Sequence, residues 1–380
     1  MKSEIEKYKT ILRHDLASFI KFAFDILHPH AEYHHNWHID AIAHALAQVA
    51  DGNTKRLIIN TPPRMLKSHC VSIAWIAFML GRDPRYKFLC LHASNALGRD
   101  LDEACAELMQ SPRYRALFQN TRIKLKKNKL CTSFGGHRQF MPINGRLTGL
   151  GADVVIIDDP ISTADARDPK ARLQLHQQFD DNISQRLNNT DGAIIVVMQR
   201  LHEDDLMAHL LAKNENWVHL DLSAIALQDE IWDLPYGRTH QRSKGEVLHT
   251  NRKSRDELLD TLKEVGGHAF AQQYLQSQYE TRFGEEGHGC VFLTPFREGE
   301  VWDPLTSPPG PYGFYRSKES DFILPKVFGI GEDPYPADMR STLTTDEWTK
   351  AAKILRDEML MPGGDINPEW IKKQEEKDNF

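Results

Sequence analysis

The distribution of hydrophobic and polar residues indicates alternating strands and helices. Runs that are apolar throughout are typical of strands buried on both faces of a sheet. The runs at 154–157 and 193–198 are of this kind, and strands are predicted near residues 56–60, 87–92, 138–141, 154–158, 194–198 and 217–221. Helices are predicted between several of these runs and over 39–49, 69–80 and 255–274. The pattern predicts a three-layer α/β sandwich with a mainly parallel sheet, preceded by a helical N-terminal lead-in.

A phosphate-binding loop is predicted where the first buried strand ends. Backbone N–H groups of such a loop, together with the following helix N-terminus, would cradle phosphates. Lys67 would reach the β/γ-phosphates of ATP, and Ser68 would ligate Mg²⁺. The usual spacing has Gly where this chain has Thr61 and Leu66, so a plain strand–turn–helix is the alternative. The residues predicted to form the loop are Pro62, Pro63, Arg64, Met65, Leu66, Lys67 and Ser68.

Two carboxylates end a second apolar run. Asp158 and Asp159 follow Val-Val-Ile-Ile, and the carboxyl ends of parallel strands are where ligands bind in α/β sheets. Asp158 is predicted to hold Mg²⁺ through water, and Asp159 to polarise the attacking water. The alternative is a buried strand with a solvated acidic turn. The phosphate-binding loop and the paired acids, in this order, favour a nucleotide hydrolase over that alternative.

A third apolar strand ends in Gln199 and Arg200. A polar side chain beside the two acids suits a sensor of the γ-phosphate, so Gln199 is a candidate catalytic residue. The acids at 203–205 are predicted to cap the next helix, because Asp and Glu favour first turns.

These segments resemble the large terminase subunit of tailed phages and prophages, in the blocks PPRMLKS, GRLTGLGADVVIIDDP and IIVVMQRLHEDDL. Further blocks extend the resemblance over roughly residues 15–280. The resemblance implies an ATPase motor that uses ATP and Mg²⁺ to drive double-stranded DNA into a procapsid. The implied partners are the small terminase subunit, the portal and further copies of the chain in a ring, all in the host bacterial cytoplasm. Trp37 resembles part of the family's adenine-binding segment, although a buried Trp on an amphipathic helix is an equal alternative.

The chain departs from the family pattern at three places. Leu66 replaces the usual Gly, Asp159 stands where many members have Glu, and Leu150 replaces an Arg that can act on a neighbouring subunit's ATP. An arginine finger stabilises charge on the transferring phosphoryl group. The candidates for that role are Arg64 in cis and Arg146.

Composition changes this interpretation little. A net charge of −6 does not indicate nucleic-acid binding overall, so a local patch would have to contact DNA. The candidate patch is Arg122, Lys124, Lys126, Lys127, Lys129 and Arg138. Its alternative is a solvated edge strand, where Lys is common.

The five cysteines show no paired spacing and indicate reduced thiols in a cytoplasmic protein. No apolar run is long enough to span a membrane.

The predicted organisation has three parts: a helical segment over 1–50, a P-loop ATPase domain over 51–280 and an irregular tail over 281–380. A large terminase has an additional nuclease domain, which needs more residues than the tail contains. The segment 327–334 resembles the first nuclease strand, 346–352 looks helical, and 362–371 resembles the linker into a nuclease. We therefore expect an ATPase without a complete nuclease.

Two other functions remain open from the sequence. One is a different DNA-dependent P-loop ATPase, such as a helicase-like enzyme, although no second motor domain is visible. The other is a prophage relic that binds nucleotide but does not turn it over, an alternative that Leu66 and Asp159 keep open.

Overall fold

The computed structural model describes residues 2–119, 121–213, 216–277, 279–283, 291–295, 312–316 and 323–327. It divides into two compact units, the first formed by Met1–Asp260 with Gln272–Ser277. The second contains Thr261–Ala271 and the four described strands that follow residue 278. No helix within the described ranges is long and apolar enough to cross a membrane.

An eight-stranded sheet forms the centre of the first unit. Its strands are β1 (Arg56–Asn60), β2 (Lys87–His92), β3 (Ile123–Lys126), β4 (Lys129–Thr132), β5 (His137–Pro142), β6 (Val154–Asp158), β7 (Ala193–Met198) and β8 (Val218–Asp221). The spatial order is β3-β4-β5-β2-β6-β7-β1-β8. The six strands from β5 to β8 are parallel, and β3 and β4 add an antiparallel edge. The mainly parallel sheet is therefore confirmed.

Helices cover both faces of this sheet. They are α1 (Lys2–His14), α2 (Leu16–Leu27), α3 (Trp37–Ala50), α4 (Ile76–Arg82), α5 (Asn95–Gln110), α6 (Pro112–Leu117), α7 (Pro169–Asp181) and α8 (Leu206–Leu211). Single 3₁₀ turns occupy Asp165–Arg167, Ile183–Gln185 and Pro235–Gly237. A separate hairpin joins β9 (Glu230–Leu234) to β10 (Arg238–Arg242).

The central strands explain why two layers of helices are needed. Successive side chains of a strand point to opposite faces. In β6, Val154 and Ile156 accordingly belong to the core shared with α1–α6, whereas Val155 and Ile157 belong to the core shared with α7 and α8. All five residues of β6 are buried. The three-layer α/β sandwich predicted from the apolar runs is confirmed.

Two predicted helices differ in detail from the structure. The helix after the phosphate-binding loop begins as a π-helical turn, His69–Trp75, before it continues as α4. The helix predicted over 255–274 is interrupted, giving α9 (Arg255–Val265) and α10 (Gly267–Leu275). Gly266 separates them with φ +82°, a left-handed conformation that Gly adopts at helix C-termini without steric cost.

The second unit is described only in part. Besides Thr261–Ala271 it contains two antiparallel hairpins. Their strands are β11 (Tyr279–Phe283), β12 (Val291–Pro295), β13 (Tyr312–Arg316) and β14 (Ile323–Val327). The nuclease-like segment 327–334, apart from Val327, and the segments 346–352 and 362–371 lie outside the described residues.

Candidate nucleotide site

The predicted phosphate-binding loop connects β1 to the π-helical turn. Arg64 and Leu66 have φ of 63° and 64°, so both adopt the left-handed conformation that normally favours Gly. Met65 between them is 1% exposed and is part of the core. The carbonyl oxygen of Arg64 accepts a hydrogen bond from Arg252 Nε at 3.1 Å. The loop therefore has a tight, left-handed backbone without any Gly.

Ser68 lies directly beside the first predicted acid. Its hydroxyl donates to Asp158 Oδ1 at 3.1 Å, and Ser72 Oγ donates to Asp158 Oδ2 at 2.6 Å. Asp158 is fully buried at the C-terminal end of β6. The structure thus brings together Ser68 and Asp158, the two residues predicted to hold Mg²⁺. Both offer oxygen donors, the ligand type that Mg²⁺ prefers, so the pair fits this ion.

Asp159 directly follows β6, and its backbone leaves the extended conformation of the strand. Its φ is 45°, its backbone N–H donates to the Val197 carbonyl at 2.9 Å, and its carbonyl accepts from Ala93 N at 3.2 Å. This backbone conformation presents the Asp159 carboxylate to Lys67, whose ammonium group donates to Oδ2. Lys67 and the second acid are therefore direct partners, across 92 residues of sequence.

Electrostatics keep this lysine charged. Burial lowers the pKa of Lys67, but the charges of Asp159 and Asp158 and the hydrogen bond to Asp159 outweigh it, so the net shift is upward. For Asp159, burial raises the pKa more than the charge of Lys67 lowers it, so the net shift is upward. The side chain of Lys67 is 10% exposed and that of Asp159 is 31% exposed. The site therefore offers a fixed cation next to a carboxylate that solvent can still reach.

Gln199 lies at the tip of β7, next to the acids. Its backbone hydrogen-bonds the Asp159 carboxyl. Its side-chain Oε1 is buried and has no hydrogen-bond partner among the described residues. Its neighbour Arg200 is held elsewhere, because its guanidinium donates to Asp205 Oδ2 at 2.7 Å. Asp205 also accepts from Ala208 N and caps α8, so the capping predicted for the acids at 203–205 is confirmed for Asp205.

The ring of Trp37 packs against other side chains of the protein. The indole stacks on His240, with ring centroids 4.5 Å apart, and lies 5.7 Å from the ring of Trp232. The Arg242 guanidinium lies 5.8 Å from the same ring. The next residue, His38, reaches the phosphate-binding loop instead: its Nε2 lies 3.3 Å from the Met65 carbonyl oxygen and donates to it. The described ring contacts of Trp37 are therefore with side chains of α3 and of the β9–β10 hairpin, and its contact with adenine stays a prediction.

The two candidate arginine fingers are both exposed, in keeping with a role toward a ligand or a neighbour. Arg64 is on the phosphate-binding loop itself, and Arg146 is in the turn before β6. Leu150 packs against the core on the α7 side of the sheet.

One member of the candidate DNA patch was predicted wrongly. Arg138 is fully buried and forms an ion pair with Asp102 of α5. It lies on β5, where alternate side chains face the core, so it is unavailable to DNA. The exposed members are Arg122, Lys124, Lys126 and Lys127, and Lys129 is half-buried. They lie on and around β3, at the edge of the sheet.

The structure shows further polar residues, not predicted from the sequence, at the carboxyl ends of parallel strands. Asn60 ends β1, and its amide donates to the Met198 carbonyl at 3.0 Å while its Oδ1 accepts from His219 Nε2 at 2.7 Å. Asp221 ends β8 opposite Asn60, and burial raises its pKa to about 7. His92 ends β2 and donates from Nδ1 to the Asp158 carbonyl at 3.1 Å. Their position at strand ends was the available sequence signal.

No three His, Cys, Asp or Glu side chains within the described residues come together as a further metal-ligating group.

Fold and site geometry together define a P-loop NTPase fold. No protein-family model matches the chain, and no curated protein matches it. Among solved structures, it is similar to the HK97 bacteriophage large terminase, with 14% identity, a TM-score of 0.41 and coverage of 56% of this chain and 44% of that one. The Thermus phage P74-26 large terminase ATPase domain has 14% identity and a TM-score of 0.39, covering 66% of this chain and 95% of that one. The large terminase of the thermophilic bacteriophage D6E, in complex with ADP, has 12% identity and a TM-score of 0.37, covering 88% and 80%.

Proposed function

We propose that the chain is an ATP-hydrolysing motor subunit that drives double-stranded DNA into a procapsid. The observation that carries the ATPase part is the arrangement of Lys67 and Ser68 on one loop against Asp159 and Asp158 at the end of β6. Cation, hydroxyl and paired carboxylates are the parts that phosphoryl transfer from ATP requires. The DNA-packaging part is supported by the sequence resemblance to large terminases.

The proposed roles follow from the contacts. Ser68 and Asp158 would hold Mg²⁺, which supplies charge neutralisation to the phosphates. Lys67 would exchange the Asp159 carboxylate for the β/γ-phosphates, since it is already charged and mostly buried. Asp159, released from Lys67, would accept a proton from the attacking water. Gln199, hydrogen-bonded to Asp159 through its backbone, would report the state of the γ-phosphate to α8 and its neighbours.

Arg64 or Arg146 would supply the positive charge that stabilises the transferring phosphoryl group. The proposed partners are double-stranded DNA, the small terminase subunit, the portal of the procapsid and further copies of the chain in a ring. The proposed place of action is the host bacterial cytoplasm. The exposed lysines around β3 are the proposed DNA contacts, since counterion release on meeting phosphates favours such a patch.

Steady-state ATPase measurements with and without DNA and procapsids test the proposal. The expected result is Mg²⁺-dependent hydrolysis that increases when DNA and procapsids are added. Hydrolysis without any response to DNA would refute the motor function while leaving the ATPase in place.

A nucleotide-binding protein without turnover is the second candidate. Two observations favour it: Leu66 occupies a position of positive φ in the loop, and Lys67 is held by the acid proposed as the base. Tight binding of ATP with no phosphate release under all of the conditions above would support this candidate.

A further inference from the structure

Ser72 contacts the same carboxylate as Ser68 but from deeper in the protein. It lies on the π-helical turn, four residues after Ser68, and is fully buried. Its Oγ donates to Asp158 Oδ2 at 2.6 Å, whereas Ser68 donates to Oδ1 at 3.1 Å. Each carboxylate oxygen of Asp158 therefore has its own serine donor.

The choice of acceptor distinguishes Ser72 from an ordinary buried serine. A serine within a helix commonly satisfies its hydroxyl by bonding to the carbonyl four residues earlier. Ser72 donates instead to the carboxylate of another element, 86 residues away in sequence. Hydrogen bonds to a charged acceptor are shorter and stronger than those between neutral groups, in keeping with the 2.6 Å distance. Ser72 thus contributes to the placement of Asp158 more than to its own helix.

The remaining freedom of Asp158 is rotation of its carboxylate. Its backbone is fixed by pairing on both sides, with Val197 of β7 and His92 of β2. The terminal torsion of an Asp side chain has a broad preference, so only contacts fix the plane of the carboxylate. Ser68 is itself a proposed ligand of the cation, which leaves Ser72 as the donor that fixes this plane without touching the ion.

We propose that Ser72 is a positioning residue that orients the Asp158 carboxylate toward the divalent cation of the bound nucleotide. This inference rests on the proposed nucleotide site. π-helical turns occur frequently at functional sites, and here the turn brings two serines onto one carboxylate. The expected consequence is specific: loss of the Ser72 hydroxyl weakens the metal-dependent part of nucleotide binding.

The test compares the dissociation constant of a fluorescent ADP analogue in Mg²⁺ with that in EDTA, on the full chain. Ser72→Ala is expected to raise the constant in Mg²⁺ by about tenfold or more, the scale on which lost outer partners weaken metal sites, and to leave the constant in EDTA unchanged. Ser72→Thr keeps the donor and is expected to restore the ratio of the two constants. Mn²⁺ titration followed by electron paramagnetic resonance, in the presence of ADP, gives a direct second measurement of cation affinity.

Ser223→Ala is the matched control. Ser223 is 5% exposed, and its hydroxyl donates to the Ile225 carbonyl at 2.8 Å, away from Asp158. This variant is expected to keep the wild-type ratio. If Ser72→Ala keeps the wild-type ratio of the two dissociation constants, this inference is wrong and the proposed function is unaffected. A wild-type chain that binds no ADP, with or without Mg²⁺, would overturn the proposed function and this inference with it.

Discussion

The ion pair between Lys67 and Asp159 can be measured as an energetic unit. Asp159→Asn keeps the shape of the side chain and removes the charge that Lys67 contacts. Lys67→Met removes the cation and keeps most of the apolar length. Because Lys67 is 10% exposed and Asp159 31% exposed, the pair is intermediate between a surface and a buried ion pair. Each single variant therefore leaves one partly desolvated charge without its partner.

The expected loss in the free energy of unfolding follows from this intermediate exposure. Exposed pairs contribute about 0–1 kcal/mol, whereas breaking a buried pair costs about 3–5 kcal/mol. Asp158 also raises the pKa of Lys67 and remains present in Asp159→Asn, which reduces the loss. We expect each single variant to lower the free energy of unfolding by about 1–3 kcal/mol at pH 7. The double variant should lose less than the sum, since it leaves neither charge unpaired.

Urea unfolding of the four proteins at pH 7 without nucleotide measures this coupling. Asp159→Asn should also reduce ATP turnover by roughly a hundredfold while leaving ATP affinity intact, because a general base is lost and not a binding group. Additive stability losses, within about 0.5 kcal/mol, would show that the two residues are not coupled. Unchanged turnover in Asp159→Asn would refute the role of Asp159 as the base.

Three further variants and one pH dependence test the remaining structure. Lys67→Ala should abolish ATP hydrolysis in a phosphate-release assay, and a folded variant with parental activity would place the nucleotide site elsewhere. Asp158→Ala should weaken Mg²⁺-dependent nucleotide binding in a titration, whereas an equal loss of ATP affinity in Asp159→Asn would show that the two roles are wrongly assigned. Asp102→Ala should cost about 3–5 kcal/mol in urea unfolding, because it leaves the fully buried Arg138 unpaired. Burial lowers the pKa of His38 to about 3, so the folded state resists its protonation and stability is lost as pH falls from about 6.5 toward 3. Because Gln does not titrate, the free energy of unfolding of His38→Gln should fall by about 1.4 kcal/mol less per pH unit in that window. If urea unfolding gives the same dependence of this free energy on pH in both proteins, the burial of neutral His38 is contradicted.

The six parallel strands and the two acids could be predicted because local sequence determines them. A run such as Val-Val-Ile-Ile has no polar side to give to solvent, so it predicts a strand covered on both faces. The acids that follow must then lie at the carboxyl edge of the sheet. The spatial order of the strands could not be read in the same way, because β1 pairs with β7 and β8, which lie far along the chain.

The sequence could not reveal which face of an element a side chain takes, or which distant residue it contacts. Arg138 belongs to a basic group along the chain, but its neighbour Asp102 is on another element and draws it into the core. Trp37 is likewise held by His240 of β10, in a hairpin that no pattern predicted. Ser72 was part of an apolar helix in the sequence, and only the position of Asp158 gives its hydroxyl a role. Long-range contacts of this kind leave no periodic signal.

Leu66 shows how a departure from a motif can leave the local geometry intact. An L-residue in the left-handed region costs roughly 1–2 kcal/mol, which is why Gly usually occupies such positions. Here the surroundings fix the loop at several points: Met65 is buried in the core, His38 donates to the Met65 carbonyl, and Arg252 donates to the Arg64 carbonyl. Backbone strain persists when surrounding contacts over-determine it. The left-handed backbone at residues 64 and 66 is therefore maintained by tertiary contacts, and the replacement of Gly by Leu66 does not by itself argue against phosphate binding.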